Sequence, residues 1–405
     1  MDAEQIEPLS REMLADPHPA YRAMRERGRV TRDPSGTHWV VTGYDETKQV
    51  LTDARFGEAA GRGGRIRVSL TNVEGPDGLL GRVETMLSAD PPEHTRLRRL
   101  VSKAFTPRSI ERLRPRIQEI VDELLDGLEG RAEFDLISEL AWPLPITVIA
   151  EMLGVPVEDR ASFKRWSDEM VATLDGRSAG PAVFEQARQA NRELAEYFSR
   201  VIAERRASPR DDLISGLVAA EEQGQVLSED EILGTLALLL VAGNETTTHL
   251  IGNGMLALFE NPDEMARLRD YPELLPSAID ELLRCAGPVL TTRRVARADV
   301  EVGGQKIARG EVVVTTVAAA NRDPRKYADP DRLDVTRNAA DHVAFGDGIH
   351  FCLGAPLARA EGEIAIGSLL HRFPKLRLLD EEPVWGGSLA IRGLIRLRVG
   401  TELLR

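Results

Sequence analysis

The chain has 405 residues, is 42% hydrophobic and 29% charged, and carries a net charge of −13, the profile of an ordinary globular protein with room for a large core. That acidity argues against nucleic acid as the main partner, because a phosphate-binding surface is basic. Two cysteines, Cys285 and Cys352, are too few for a disulfide framework, and their spacing matches no zinc motif. The N-terminal stretch MDAEQIEPLSREML lacks the basic and apolar regions of a signal peptide, and no run of about 18 apolar residues occurs. A cytoplasmic protein without a membrane span is expected.

Taken in chain order, THWVVTG (37–43) alternates like a short strand, and a glycine-rich irregular stretch follows at 59–87. His94 and Arg98 are four apart and share one helical face. ERLRPRIQEIVDELLDGLEG (111–130) repeats apolar residues at helical spacing and ends on glycine. Similar patterns predict helices at 141–153, 182–206, 212–222, 228–260, 262–269, 273–285 and 353–373. Further strands are expected at 298–304, 311–318 and 394–399, with an irregular segment at 320–352. Short strands at the two ends of a long helical middle fit neither a repeating βαβ pattern nor a sandwich. The expectation is a mainly α fold with a small β portion, residues 1–405 forming one domain.

The 228–260 helix opens on Ser228-Glu-Asp-Glu231, a capping-box pattern. Its thirty-odd residues reach roughly 45 Å, enough to cross the molecule. Midway stands AGNETTTH (242–249), where glycine and three threonines weaken the helix. A threonine hydroxyl there can bond back to a carbonyl one turn earlier. Two readings stay open: a close crossing of two helices, or a local opening of the ladder beside a ligand, with Glu245 and Thr246 as a proton path. A carboxylate in an apolar helix needs either a partner or a task.

Cys352 sits in AFGDGIHFCLGAP (344–356), just before a helical pattern. Metal is bound by thiolate, and a sulfur at a helix start gains from the dipole and from unpaired amides. Gly354 would let those amides approach, Gly346 and Gly348 would turn the loop beneath a flat ligand, and Phe345 would cover the sulfur. Among groups that accept one thiolate, haem fits best, since iron–sulfur clusters and structural zinc want further cysteines.

With FGDGIHFCLG (345–354), the chain resembles the cytochrome P450 family of haem-thiolate monooxygenases. AGNETT (242–247) is similar to that family's oxygen-activation stretch, ELLR (281–284) to its E-x-x-R motif, and PDRL (330–333) to its meander, with Leu333 where Phe is more usual. DPPEHTRLRRLVSKAF (90–105) resembles the bacterial members especially. E-x-x-R alone is uninformative, since it recurs at 26–29, 93–96, 111–114, 185–188, 264–267 and 402–405. The resemblance implies a P450 fold with haem b on Cys352 and a long central helix over the haem. It also implies a buried ion network of Glu281, Arg284 and Arg332, and a propionate cradle of His94, Arg98, Arg294 and His350.

The chemistry implied is reductive activation of oxygen, with Thr246 and Glu245 handling protons, and hydroxylation or epoxidation of the substrate. The chain has no flavin or iron–sulfur segment, so the resemblance implies a ferredoxin and an NAD(P)H-dependent reductase as partners. Arg99, Lys103 and Arg108 form a basic cluster that could receive an acidic ferredoxin. Substrate positions placed by analogy are the 59–87 loop with Arg62, Arg65 and Arg67, residues 165–190, Val241, Ala242, Val289, Leu290 and Thr291, and Leu389, Ala390 and Ile391. They suit a bulky, largely apolar molecule such as a macrolide, another natural product or a steroid, taken by a monomeric enzyme. Two alternatives remain: a peroxide-dependent haem-thiolate enzyme, against which the intact Glu245–Thr246 pair counts, and a non-catalytic haem sensor or carrier.

Overall fold

The computed structural model describes residues 14–58, 84–102, 105, 107–172, 181–222, 224–380, 382–387 and 390–401. Helix predominates, at 57%. The N-terminal part carries α1 (His18–Arg27), strands β1 (Val30–Arg32) and β2 (Trp39–Val41), α2 (Tyr44–Thr52) and β3 (Phe56–Gly57). The helical middle comprises α3 (Glu93–Ser102), α4 (Pro107–Asp126), α5 (Pro143–Met152), α6 (Arg160–Val171), α7 (Pro181–Ala207) and α8 (Leu213–Ala219), with β4 (Glu133–Asp135) between α4 and α5. Then come α9 (Glu229–Glu260), α10 (Pro262–Asp270), α11 (Leu275–Ala286), α12 (Val317–Ala320) and α13 (Ala355–Arg372). Among the described residues no helix is long and apolar enough to cross a membrane.

The early and late strands meet in one sheet. With β5 (Thr291–Ala296) and β8 (Val312–Thr316), the order is β1-β2-β8-β5-β3; β6 (Val300–Val302) and β7 (Gln305–Ile307) form a separate hairpin. β8 runs parallel to β2 with Val313 opposite Trp39, while β3 and β8 run antiparallel to β5. Late in the chain, β9 (Arg377–Leu378), β12 (Arg398–Gly400) and β4 form a three-stranded sheet, and β10 (Val384–Gly387) pairs with β11 (Arg392–Arg396). The predicted strands fall at 39–41, 300–302, 312–316 and 392–400. The sequence reading did not single out β1, β3, β4, β5, β7, β9 or β10, most of them two to four residues long.

The central helix α9 starts as its sequence predicts. Ser228 Oγ accepts the Glu231 amide at 3.2 Å, and Glu231 Oε2 accepts the Ser228 amide at 2.8 Å. Its apolar residues point all round, and α5, α6, α7, α11, α13 and β11 pack against it, as expected of a helix buried at the centre of a fold. Residues 232–241 and 247–256 are buried without a break.

The segment at 321–347 stays irregular, as predicted, but is held by a charge buried beneath it. Glu281 and Arg284 on α11 are both 0% exposed and pair two-fold, with Nε to Oε2 at 2.6 Å and Nη2 to Oε1 at 2.8 Å. Arg284 donates onward to the carbonyls of Asn321, Pro330 and Arg332 at 2.9, 2.8 and 3.1 Å, and stacks 4.9 Å from the Tyr327 ring centre. Glu281 Oε1 also accepts the Asp334 amide at 3.0 Å and Arg337 Nε at 3.1 Å. This corrects the expectation for Arg332: its side chain is exposed and only its carbonyl joins the network. Arg337 is the second arginine on Glu281. A carboxylate with both oxygens occupied tolerates burial that an unpaired one would not.

Candidate active site

The loop before α13 is shaped by two left-handed glycines, Gly346 at φ 73° and Gly348 at φ 68°. At Gly348 a Cβ would also lie 2.5 Å from the Leu51 carbonyl, so the turn requires glycine both for its φ and for clearance from α2. The Cys352 amide then donates to the Phe345 carbonyl at 2.9 Å, closing the loop on itself. Burial pushes the Cys352 thiol up, while the amides of Gly354 and Ala355 and the guanidinium groups of Arg98 and Arg359 pull it back. Those donors are the features a thiolate needs. Gly354 has an ordinary φ of −81°, and a Cβ there would sit 3.9 Å from the sulfur, so the backbone itself does not demand glycine at this position. Phe345 is held between Arg359, 4.7 Å from its ring centre, and the rings of His342 at 5.6 Å and Phe351 at 6.2 Å.

Beside this loop lie four side chains that favour anions. His94 on α3 and His350 face one another with ring centres 4.4 Å apart. Nε2 of His94 and both ring nitrogens of His350 are buried without a hydrogen-bond partner of normal geometry. Burial, then Arg294 and His94, push His350 down to about 3, and burial likewise lowers His94 and Arg98. Arg98 Nη2 reaches the Phe351 carbonyl at 2.6 Å. Buried, unpaired imidazole nitrogens are costly on their own. Two carboxylates would satisfy them and relieve the crowding of positive groups. A haem, with its two propionates and an iron that takes one thiolate, fits this donor set. Among the described residues no three His, Cys, Asp or Glu side chains gather as a metal site.

On α9 the buried run is interrupted at one place: Ala242, Gly243, Glu245 and Thr246 are partly open. Their spacing puts them on one face. A Cβ on Gly243 would meet nothing within 4 Å, so this face borders open space and not a crossing helix. The alternative of an opened ladder is not seen either, because the helix runs continuously from Glu229 to Glu260. Thr246 Oγ1 donates to the Ala242 carbonyl at 2.8 Å, the back-bond its sequence predicts. Glu245 has its partner in His249, one turn on, at 3.1 Å from Nε2 to Oε2. That imidazole fits because residue 393 is glycine: a Cβ there would lie 1.8 Å from His249 Nδ1. Glu361 on α13, 2% exposed, bonds Thr247 on the same stretch of α9. Burial pushes its carboxyl up to about 8, so it is protonated at neutral pH.

The family model for cytochrome P450 matches residues 79–270 and 272–384. The chain belongs to the cytochrome P450 family. It is 45% identical over 410 residues to the monooxygenase PikC of Streptomyces venezuelae, covering 97% of this chain and 94% of that one. It is 41% identical over 387 residues to 6-deoxyerythronolide B hydroxylase of Saccharopolyspora erythraea, covering 94% of each. A P450 from Bacillus megaterium, solved in complex with testosterone, superposes with a TM-score of 0.84 at 37% identity, covering 96% of this chain and 99% of that one. This P450 is accordingly a haem-thiolate monooxygenase, an oxidoreductase that incorporates one oxygen atom into its substrate.

The positions expected to touch substrate divide. Ala242, Val289 and Ala390 are partly open, and Val289 bridges to Ile391 across the chain. Val241 is packed in the main core, and Leu290 is 1% exposed, in a small cluster with Tyr21, Ala318 and Ala319. Both are largely buried, and Leu290 lines a small cavity together with Val289, Ala318 and Arg392. Leu389, Arg62, Arg65, Arg67 and Lys103 lie outside the described residues. Cys285 is buried against Arg284 and Glu281, and burial pushes its thiol up to about 11, far from a ligand's needs. The sequence reading missed four residues: Glu58, His249, Arg337 and Glu361. His249 carried a signal in its four-residue spacing from Glu245, and Glu361 in being an acid on an otherwise apolar helix face.

Proposed function

We propose that this P450 hydroxylates or epoxidises a bulky, largely apolar small molecule, either a macrolide-like natural product or a steroid-like compound, with electrons from a ferredoxin and its NAD(P)H-dependent reductase. The observation that carries the reading is the open face of Ala242, Gly243, Glu245 and Thr246 in an otherwise buried helix. It offers small residues for an apolar guest beside one acid and one hydroxyl. Two relatives support it: one is named a 6-deoxyerythronolide B hydroxylase, and one is solved in complex with testosterone. The P450 family model spanning most of 79–384 supports residues 1–405 as one domain.

In this reading Cys352 holds the haem iron, and the amides of Gly354 and Ala355 favour the anionic sulfur against the burial that opposes it. His94, Arg98, Arg294 and His350 take the propionates. When bound, the haem supplies the oxygen activation and electron transfer that no side chain can perform. The chain's own part is to orient the guest, exclude water and deliver protons. Glu245, held by His249, takes a proton from solvent at its Oε2 and passes it into the cleft. Thr246 Oγ1 is released from the Ala242 carbonyl to donate there and is reprotonated through Glu245. Arg99 and Arg108 are both exposed, as docking of an acidic ferredoxin would require.

The test is a carbon monoxide difference spectrum of the reduced protein, followed by spectral titration with macrolide aglycones, steroids and fatty acids. A red-shifted thiolate Soret band is expected, with a substrate-induced spin shift for the macrolide or steroid class. A normal haem Soret band overturns the thiolate assignment. A spin shift confined to fatty acids overturns the substrate class.

A further inference from the structure

Arg294 does not stand alone beside the haem cradle. β3 pairs with β5 so that Phe56 faces Ala296 and Gly57 faces Val295, which carries Glu58 to the position opposite Arg294. Glu58 Oε1 lies 2.5 Å from Arg294 Nη1, and the two side chains are 8% and 7% exposed. The same nitrogen donates to the Arg293 carbonyl at 2.8 Å and contacts Thr292 Oγ1 at 3.3 Å. From the other side Asp90 approaches, its Oδ1 accepting the Glu58 amide at 3.0 Å and its Oδ2 paired with Arg297. Among the described residues, the charged groups around Glu58 are Arg294 and Arg293 on β5, and Asp90 with Arg297 behind it. Arg294 also acts on His350, which places Glu58 one residue removed from the cradle.

A propionate at Arg294, as proposed above, would be the second carboxylate on one buried guanidinium. Two carboxylates sharing one buried cation each raise the other's proton affinity, against the cation that lowers both. Adding an electron to a nearby centre raises that affinity further, because the centre becomes more negative. We propose that Glu58 is a positioning residue of the haem site that shares Arg294 with a propionate and takes up a proton when the haem is reduced. The step balances simply. A one-electron donor of the ferredoxin class reduces the haem, and a proton from solvent converts the Glu58 carboxylate to the acid. Oxidation reverses both. Burial pushes the Glu58 carboxyl up to about 7, with Arg294 opposing and Asp90 reinforcing, and a propionate on the same guanidinium would raise it further.

The inference rests on the haem assignment above, and its test separates the two. The reduction equilibrium of the purified holoenzyme is measured by spectroelectrochemistry from about pH 5.5 to about pH 8.5 for wild type, Glu58→Gln and Glu58→Asp. Reduction takes up a proton, so wild type becomes harder to reduce as pH rises, approaching about tenfold in the equilibrium constant per pH unit near the middle of the range. Glu58→Gln should lose that dependence and be easier to reduce than wild type at the alkaline end, because a negative charge has been removed. Glu58→Asp should keep the dependence with its midpoint moved. A pH-independent wild type, or a Glu58→Gln slope equal to wild type (as titration of His94 or His350 would give), overturns the proposal. If Glu58→Gln fails to retain haem, the wild-type and Glu58→Asp profiles still decide. A missing thiolate Soret band would count against the haem assignment and leave the Glu58 measurement to be judged separately.

Discussion

Replacing Glu361 with glutamine should make this P450 more stable, and more so as pH rises. Glu361 is buried between α13 and α9, and its carboxyl is pushed from the ordinary 4.5 to about 8 by burial, partly offset by the bond to Thr247. Because the folded form holds its proton more tightly than the unfolded chain, the contribution to stability is complete below about pH 4.5. It is lost progressively as pH rises through about 8. A shift of that size corresponds to about 5 kcal/mol at about 1.4 kcal/mol per unit. Glutamine has nearly the same shape, can still bond Thr247 and never ionises. Variant and wild type should therefore be close in stability near about pH 5, with the variant ahead by up to about 5 kcal/mol above about pH 8. Urea unfolding of the two holoenzymes at matched haem content, at both pH values, measures the difference. A gap between them that is the same at both pH values would refute the argument, because only titration of this group makes it depend on pH.

Cys352→Ser should abolish the red-shifted Soret band of the reduced carbon monoxide complex, while Cys285→Ser, changed in a site packed against Arg284, should retain it. Arg284→Leu leaves Glu281 buried without its two-fold partner and should cost about 3–5 kcal/mol and most of the haem content. Arg332→Ala keeps the carbonyl that Arg284 uses and should leave haem content unchanged; equal losses for the two would refute the corrected network. Gly348→Ala meets both a positive φ and the Leu51 carbonyl and should lower stability by more than about 1 kcal/mol, seen as a lower thermal midpoint. Thr246→Ala should preserve the carbon monoxide spectrum but raise the share of reducing equivalents released as peroxide by severalfold, and unchanged coupling would remove its assigned role.

The core helices were legible because their periodicity and caps are local. The span of α9 and both halves of its capping box follow from Ser228, Glu231 and the apolar run behind them. The Cys352 loop was legible too, since its two left-handed glycines are written where the turn needs them. Strands of two to four residues were not legible, because stretches that short have no period to read. β5 carries TTRRVA and owes its existence to β8 and β3 on either side. Arg332 was misplaced for a related reason: a motif reports residue types, and only the folded loop shows whether a side chain or its carbonyl faces Arg284.

By itself, then, the sequence determined the chemistry this protein can carry: one cysteine at a helix start, an acid and a threonine on the central helix, and an E-x-x-R pair. These are short-range patterns, specified by neighbours within a few turns of chain. The tertiary structure decided which groups share a charge. It set Glu58 on Arg294, His249 on Glu245, Arg337 on Glu281 and Glu361 under Thr247. Except for the single helical turn that joins His249 to Glu245, those partners are distant in sequence, and burial is what makes their protons matter. Low-dielectric surroundings turn a pairing that would be slight at the surface into one that sets protonation.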